Sequence, residues 1–178
     1  IRQFTHLLEK HPDSLFIADE AYYEFTDQNY NSLLGKFANF VSVRTLSKAF
    51  GLAGVRLGYC IGPEKIIAQL RKVRLPYLLN IFTLSVVTEL LCDPQTKIVI
   101  KENVRRLISA RDHLYSAVKE LTPNHHFRVI EPHANFLLLH WPEQEMCEQV
   151  YGRLIDEGVL IRNVSRLRGL GGCLRASV

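Results

Sequence analysis

The chain has 178 residues, 47% of them hydrophobic and 22% charged, with 22 basic against 18 acidic side chains and a net charge of +4. This is one domain's length, or a large domain with part of a second, and it can bury a core. The mild basic excess, without a basic block or an aromatic-interleaved patch, argues against nucleic acid and suits an anionic small molecule; no 18-residue apolar run reads as a membrane span.

Ile1 to Lys10 places Ile1, Phe4, Leu7 and Leu8 at helical spacing, and His11-Pro12-Asp13 stops that helix. Leu15 to Ala18 is a short apolar run of the kind found in parallel strands buried on both faces. Asp19-Glu20-Ala21-Tyr22 follows at its C-terminal end, where ligands of open α/β sheets collect. Adjacent strand residues point to opposite faces, so Asp19 and Glu20 do not converge as a carboxylate pair. Residues 25 to 40 read as a loop with a short helix. Phe40 to Val43 is a second buried strand and leads into Arg44-Thr45-Leu46-Ser47-Lys48, then Gly51, Gly54, Arg56 and a further apolar run from Leu57 to Ile61.

Pro63 at N1 opens a helix with Ile66, Ile67, Leu70 and Val73 as its stripe. Asn80 to Leu91 reads as a helix packed on several sides, and Asp93-Pro94-Gln95 breaks it. Lys97 to Leu121 is the longest periodic segment, with Arg105, Arg106, Arg111 and Lys119 on a solvated face. Past Thr122 the pattern becomes short strands, at 127–130, 135–140, 159–162 and 174–177. Glu143 to Glu157 reads as a helix burying Met146, Val150, Leu154 and Ile155, capped by Gly158. The expected organisation is therefore α/β: residues 1–96 as part of a large α/β domain, 97–121 as a linking helix and 122–178 as a small α+β domain. Cys60, Cys92, Cys147 and Cys173 are scattered and read as reduced, mostly buried thiols of a cytoplasmic protein.

The Lys48 turn carries the chemistry. Small hydroxyl residues and backbone N–H groups hold phosphate, Arg56 can pair with it bidentately, and a lysine amine attacks an aldehyde. The alternative is a plain strand–turn–helix joint with a solvated lysine. A cofactor bearing an aldehyde, a phenolic oxygen, a phosphate and a pyridine nitrogen would use Lys48, Tyr22, the set Thr45, Ser47 and Arg56, and Asp19 in turn. His125, His126 and His133 lack metal-ligand spacing, so no metal is expected. Gly169, Gly171 and Gly172 lack the strand-then-helix setting of a nucleotide loop and read as a mobile loop.

Asp19-Glu20-Ala21-Tyr22 with Ser47-Lys48-Ala49-Phe50-Gly51-Leu52-Ala53-Gly54-Val55-Arg56-Leu57-Gly58-Tyr59 resembles the fold-type I pyridoxal-phosphate-dependent aminotransferases, and among them the histidinol-phosphate aminotransferases. The resemblance implies a mostly parallel large-domain sheet of the aspartate-aminotransferase type and a small C-terminal domain. It implies that Lys48 carries pyridoxal 5'-phosphate, that Asp19 meets the pyridine nitrogen and that Tyr22 bonds the 3-hydroxyl. Thr45, Ser47 and Arg56 match phosphate positions. Arg162 and Arg175 match arginines near the substrate's anionic groups, and Asn80 matches a substrate contact. Leu78 and the segment 163–172 depart from the family pattern. The reaction implied is transamination of histidinol phosphate with the 2-oxoglutarate/glutamate pair, in a homodimer. An aromatic-amino-acid aminotransferase, a phospho-amino-acid decarboxylase and a non-catalytic fragment or interaction module are the alternatives. The start at Ile1, and the lack of the small-residue loop and stacking aromatic of the family's N-terminal half, read as a fragment. Alone it is expected to bind the cofactor weakly and to transaminate negligibly.

Overall fold

A computed structural model describes residues 1–26 and 28–178. The described chain divides into two compact units, Ile1–Glu102 and Asn103–Val178. Its elements define an α/β protein.

In the first unit, α1 (Arg2–Lys10) lays Leu8 and Phe4 onto a sheet of β1 (Phe16–Asp19), β2 (Phe40–Thr45) and β3 (Gly58–Ile61). β1 runs parallel to β2, with Phe16 opposite Phe40 and Asp19 opposite Val43. β2 runs antiparallel to β3, with Thr45 opposite Gly58. The core is Leu8, Ala18, Leu33 and Phe40, ringed by Phe4, Phe16, Tyr30, Leu34 and Phe37. Phe4 meets Phe16 and Phe40 edge-on at 5.9 and 5.6 Å, a favoured arrangement of aromatic quadrupoles. All of this lies on one face of β1. The expectation that its apolar run is buried on both faces does not hold: Ile17, on the other face, is 62% exposed. Alternation of side chains puts Asp19 on that same open face. Gly58 lets β3 close on β2, because a Cβ there would lie 2.9 Å from the Arg44 carbonyl oxygen.

Pro63 occupies the N-cap of α2 (Glu64–Val73), one residue before the N1 position expected. Ile66 and Ile67 are half-buried, while Leu70 and Val73 are exposed. α3 (Ile81–Cys92) buries Val87 alone; Ile81, Phe82 and Val86 are exposed, against the reading of a helix packed on several sides. Asp93-Pro94-Gln95 starts α4 (Pro94–Leu121) as well as ending α3. The Asp93 carboxylate accepts from Gln95 N at 3.1 Å and Thr96 N at 2.8 Å, and proline is tolerated in a first turn because its missing N–H has no partner there.

In the second unit, β4 (Arg128–Ile130), β5 (Phe136–His140), β6 (Arg162–Asn163) and β7 (Cys173–Ser177) form an antiparallel sheet in the order β4-β5-β7-β6. β6 is shorter than the run from Val159 suggested. α5 (Gln144–Asp156) packs Cys147, Val150, Tyr151 and Leu154 with Trp141, Leu139 and Leu174; Met146 and Ile155 stay exposed. Gly158 at φ 76° closes α5, its N–H bonding the Ile155 carbonyl at 2.9 Å. Arg111, read as solvated, is buried. Its guanidinium donates to the Ala134 carbonyl at 3.2 Å and to Asp112 at 2.8 Å, which ties α4 to the loop before β5. Cys147 and Cys173 are buried, but Cys60 and Cys92 are exposed, because β3 and α3 are open on the sides that carry them.

Candidate functional site

Two parallel strand ends assemble the first group of residues. β1 ends at Asp19 and β2 at Thr45, and the chain turns at each. Asp19 is exposed, with one carboxylate oxygen accepting from Ala21 N at 3.1 Å to close the turn into Tyr22. Lys48 is exposed, and its Nζ lies 5.3 Å from the centre of the Tyr22 ring. That contact spans the two turns, so amine, phenol and the end of β1 lie together. Thr45 Oγ1 accepts from Ser47 N at 3.1 Å and lies 3.5 Å from the Leu57 carbonyl, so its hydroxyl is engaged in shaping the turn. The Ser47 hydroxyl has no hydrogen bond among the described residues. Arg56 takes the left-handed conformation at φ 53°, unusual for a residue with a Cβ, and Nη1 reaches back to the Ala53 carbonyl at 3.1 Å. Its exposed guanidinium keeps further donors.

Beneath this group lies a charged cluster outside the sequence-based expectations. Glu20 and Arg44 are buried, with Arg44 Nη2 and Nε at 2.9 and 3.2 Å from Glu20 Oε2. Ser42 Oγ donates to the same oxygen, Tyr30 N donates to Oε1 at 2.8 Å, and Arg44 Nη2 also bonds Asn31 Oδ1. The Arg44 guanidinium stacks 4.1 Å from the Tyr23 ring centre. Burial opposes ionisation of Glu20. The bonds from Ser42, Tyr30 and Arg44, with the Arg44 charge, outweigh it and hold the carboxyl below the usual range. Burial, with Glu24 next, pushes the Tyr23 phenol up to about 12. Burial also raises Glu24, whose two carboxyl oxygens have no hydrogen-bond partner among the described residues. The available signal was Ser42 inside the buried run and Arg44 directly after it.

Asn80 caps α3: its side-chain oxygen accepts from Thr83 N at 2.8 Å and its amide donates to Thr83 Oγ1 at 3.0 Å. The residue singled out as a substrate contact therefore spends its side chain on the helix start.

The second unit brings the two remaining arginines together. Arg162 and Arg175 stand directly opposite each other on the antiparallel strands β6 and β7. Like charges in that position repel. Arg175 is half-buried, its Nε lacks a hydrogen-bond partner among the described residues, and its guanidinium lies 5.1 Å from the Phe136 ring centre. Both arginines line a cleft of ≈ 460 Å³ with Tyr151, Leu160, Ile161, Asn163 and Ser177. Guanidiniums are the side chains that pair with carboxylates and phosphates in fork geometry, and this cleft holds two, one with an orphaned donor. The glycines near β7 serve structure: Gly172 donates to Gln144 Oε1 at 2.8 Å and accepts from Trp141 N at 2.9 Å. Among the described residues no group of three His, Cys, Asp or Glu side chains could hold a metal ion, and no helix is long and apolar enough to cross a membrane.

An α/β frame presenting an amine, a carboxylate, a phenol and phosphate-type donors at neighbouring strand ends defines a class of protein, and the comparisons agree with it. The family model for aminotransferase class I and II matches residues 1–178, and the chain belongs to that family. It is 38% identical over 164 residues to a histidinol-phosphate aminotransferase of Caldanaerobacter subterraneus subsp. tengcongensis, covering 92% of this chain and 44% of the relative. It is 32% identical over 179 residues to that of Escherichia coli O81, covering 99% and 49%. The chain thus spans about half the length of the curated relatives it matches. The crystal structure of the histidinol-phosphate aminotransferase from Clostridium acetobutylicum superposes with a TM-score of 0.82 at 25% identity, over 99% of this chain and 53% of that one. An L-threonine-O-3-phosphate decarboxylase from Porphyromonas gingivalis shares the fold, with a TM-score of 0.80 at 22% identity, over 99% and 54%.

Proposed function

We propose that this chain carries the lysine-bearing part of a pyridoxal-phosphate-dependent aminotransferase acting on histidinol phosphate, with glutamate and 2-oxoglutarate as the second pair. The observation that carries the reading is the Lys48–Tyr22 contact beside Asp19, at the ends of two parallel strands. The donor set fits the cofactor group for group. Lys48 offers the amine, Asp19 the anion for a pyridinium, Tyr22 a phenol, and Ser47 and Arg56 free donors for phosphate. The engaged Thr45 hydroxyl makes Ser47 the better phosphate ligand of the two. When bound, pyridoxal phosphate supplies a ring that withdraws electrons from the substrate carbon.

The chain's own residues do the rest. Lys48 would take the proton from the substrate carbon and deliver it to the cofactor carbon that carried the aldehyde, as an exposed amine on a short turn can. Asp19 would hold the proton on the ring nitrogen. In the second unit, Arg175 and Arg162 bind the substrate's carboxylate or phosphate, an anion that relieves their mutual repulsion. The names of the curated relatives favour a phosphorylated amino substrate. The same reading includes the split into a cofactor-binding large domain (1–96), a linking helix (97–121) and a small domain (122–178), and a cytoplasmic homodimer. The exposed Tyr77, Ile81 and Phe82 are apolar surface that a second chain would cover.

The test is covalent labelling. Pyridoxal phosphate followed by borohydride should leave its pyridoxyl group on Lys48 in preference to the other lysines, and Lys48→Ala should lose that label. Uniform labelling of surface lysines, unchanged by Lys48→Ala, would overturn the assignment.

A further inference from the structure

We infer that Glu20 and Arg44 are positioning residues, a buried charged clamp that fixes the cofactor-facing turns in mutual orientation. This rests on the assignment of Lys48 above. Each member of the pair is one residue from a proposed cofactor contact: Glu20 follows Asp19, and Arg44 precedes Thr45. Strand alternation sends the neighbours to opposite faces. Asp19 is exposed where Glu20 is buried; Arg44 is buried beneath the half-exposed Thr45. The clamp thus lies on the reverse side of the sheet, behind the groups that would meet cofactor.

One guanidinium joins three segments. Arg44 binds Glu20 at the end of β1, bonds Asn31 in the 31–33 turn and stacks at 4.1 Å on Tyr23, the residue next to Tyr22. Glu20 adds Tyr30 N and Ser42 Oγ. Arg44 Nε and Nη2 and both carboxyl oxygens of Glu20 face specific partners, so rotation of either side chain breaks several bonds at once.

The pair is not needed to set strand register. The β1–β2 ladder, with Phe16 opposite Phe40, and the core of Leu8, Ala18 and Leu33 already do so. Nor is a buried ion pair an efficient stabiliser, since apolar residues of similar volume often replace one without loss. What an apolar pair cannot supply is directional bonding to the 20–23 and 31–33 turns. The clamp therefore governs where Tyr22 and Asp19 stand relative to Lys48.

The experiment compares the parent chain with the double variant Glu20→Met/Arg44→Met and with Arg44→Lys, which keeps charge but loses the fork. Thermal melting reports the fold. Labelling with pyridoxal phosphate and borohydride, mapped by peptide, reports the fraction of label on Lys48. The double variant should melt cooperatively within a few degrees of the parent, yet its preference for Lys48 should fall at least fivefold, with Arg44→Lys between the two. A double variant that labels Lys48 as selectively as the parent sinks the inference. So does one that cannot fold, because the pair would then be a requirement of the fold. A parent that shows no preference for Lys48 defeats the cofactor assignment instead, and this inference with it.

Discussion

The Lys48 ammonium rests 5.3 Å from the centre of the Tyr22 ring, so a single contact links the turn after β2 to the turn after β1. Cation–π attraction at a partly exposed site is worth about 0.5–1 kcal/mol, enough to bias a lysine rotamer. The phenol and the ring then have separable roles. Tyr22→Phe keeps the ring under Lys48 but removes the hydroxyl, and should weaken pyridoxal phosphate binding by about 1 kcal/mol, the worth of one hydrogen bond, or roughly fivefold. Tyr22→Ala removes both and should weaken it further. Absorbance titration of the two variants checks the order; equal losses would mean that the hydroxyl has no part.

Arg162 and Arg175 face each other across β6 and β7, where like charges repel, and an anion bound between them would offset that repulsion. Arg175→Met should leave the melting temperature unchanged or raise it, because it removes both the repulsion and a buried orphaned donor. It should abolish the stabilisation that phosphate or 2-oxoglutarate gives the parent. A differential scan with and without each anion measures both effects. A parent with no anion-dependent shift would mean that the cleft does not bind these ligands.

The strand ends and the Lys48 turn were legible because their signals are local: an apolar run, then Asp19, or a run, then hydroxyls and glycine. What escaped depends on long-range packing. Periodicity puts Arg111 with the other arginines of α4, and its bond to the Ala134 carbonyl, 23 residues away, is one that no local pattern records. The Glu20–Arg44 pair spans 24 residues and is invisible to any window shorter than that. Gly172 reads as a loop glycine, yet at φ 66° a Cβ would lie 2.1 Å from the Trp141 carbonyl oxygen, so close packing demands it. The openness of Ile17 and of α3 likewise depends on what lies over them, which no pattern within the run records.

Asn80 separates helix capping from substrate contact. Its side chain bonds both Thr83 N and Thr83 Oγ1. Asn80→Ala should cost about 1 kcal/mol of stability, while Asn80→Ser or Asn80→Asp should restore most of it, since all three parent types cap well. If capping is its work, ligand affinity should follow the melting temperature through this series. An affinity loss in Asn80→Ser at parental stability would show a direct contact instead.

Glu24 should make the fold's pH dependence run opposite to that of Glu20. Burial raises Glu24 above its ordinary value of 4.5, so the folded state holds that proton more tightly than the unfolded chain. The penalty is absent below the ordinary value and grows as pH rises through the raised one. Glu20 lies below its ordinary value, so its contribution is present above 4.5 and fades as pH falls through the folded value. Glu24→Gln should therefore raise the melting temperature at pH 7, by about 2–4 °C for each kcal/mol of relieved penalty, and the advantage should vanish near pH 4. Glu20→Gln should lower it at pH 7, because Arg44 is left buried without its counter-charge, and the deficit should shrink in acid. Melts of the parent and both variants from pH 4 to 8 decide it. A Glu24→Gln advantage that is independent of pH would mean that the parent's carboxyl is already neutral throughout, with the gain coming from packing alone.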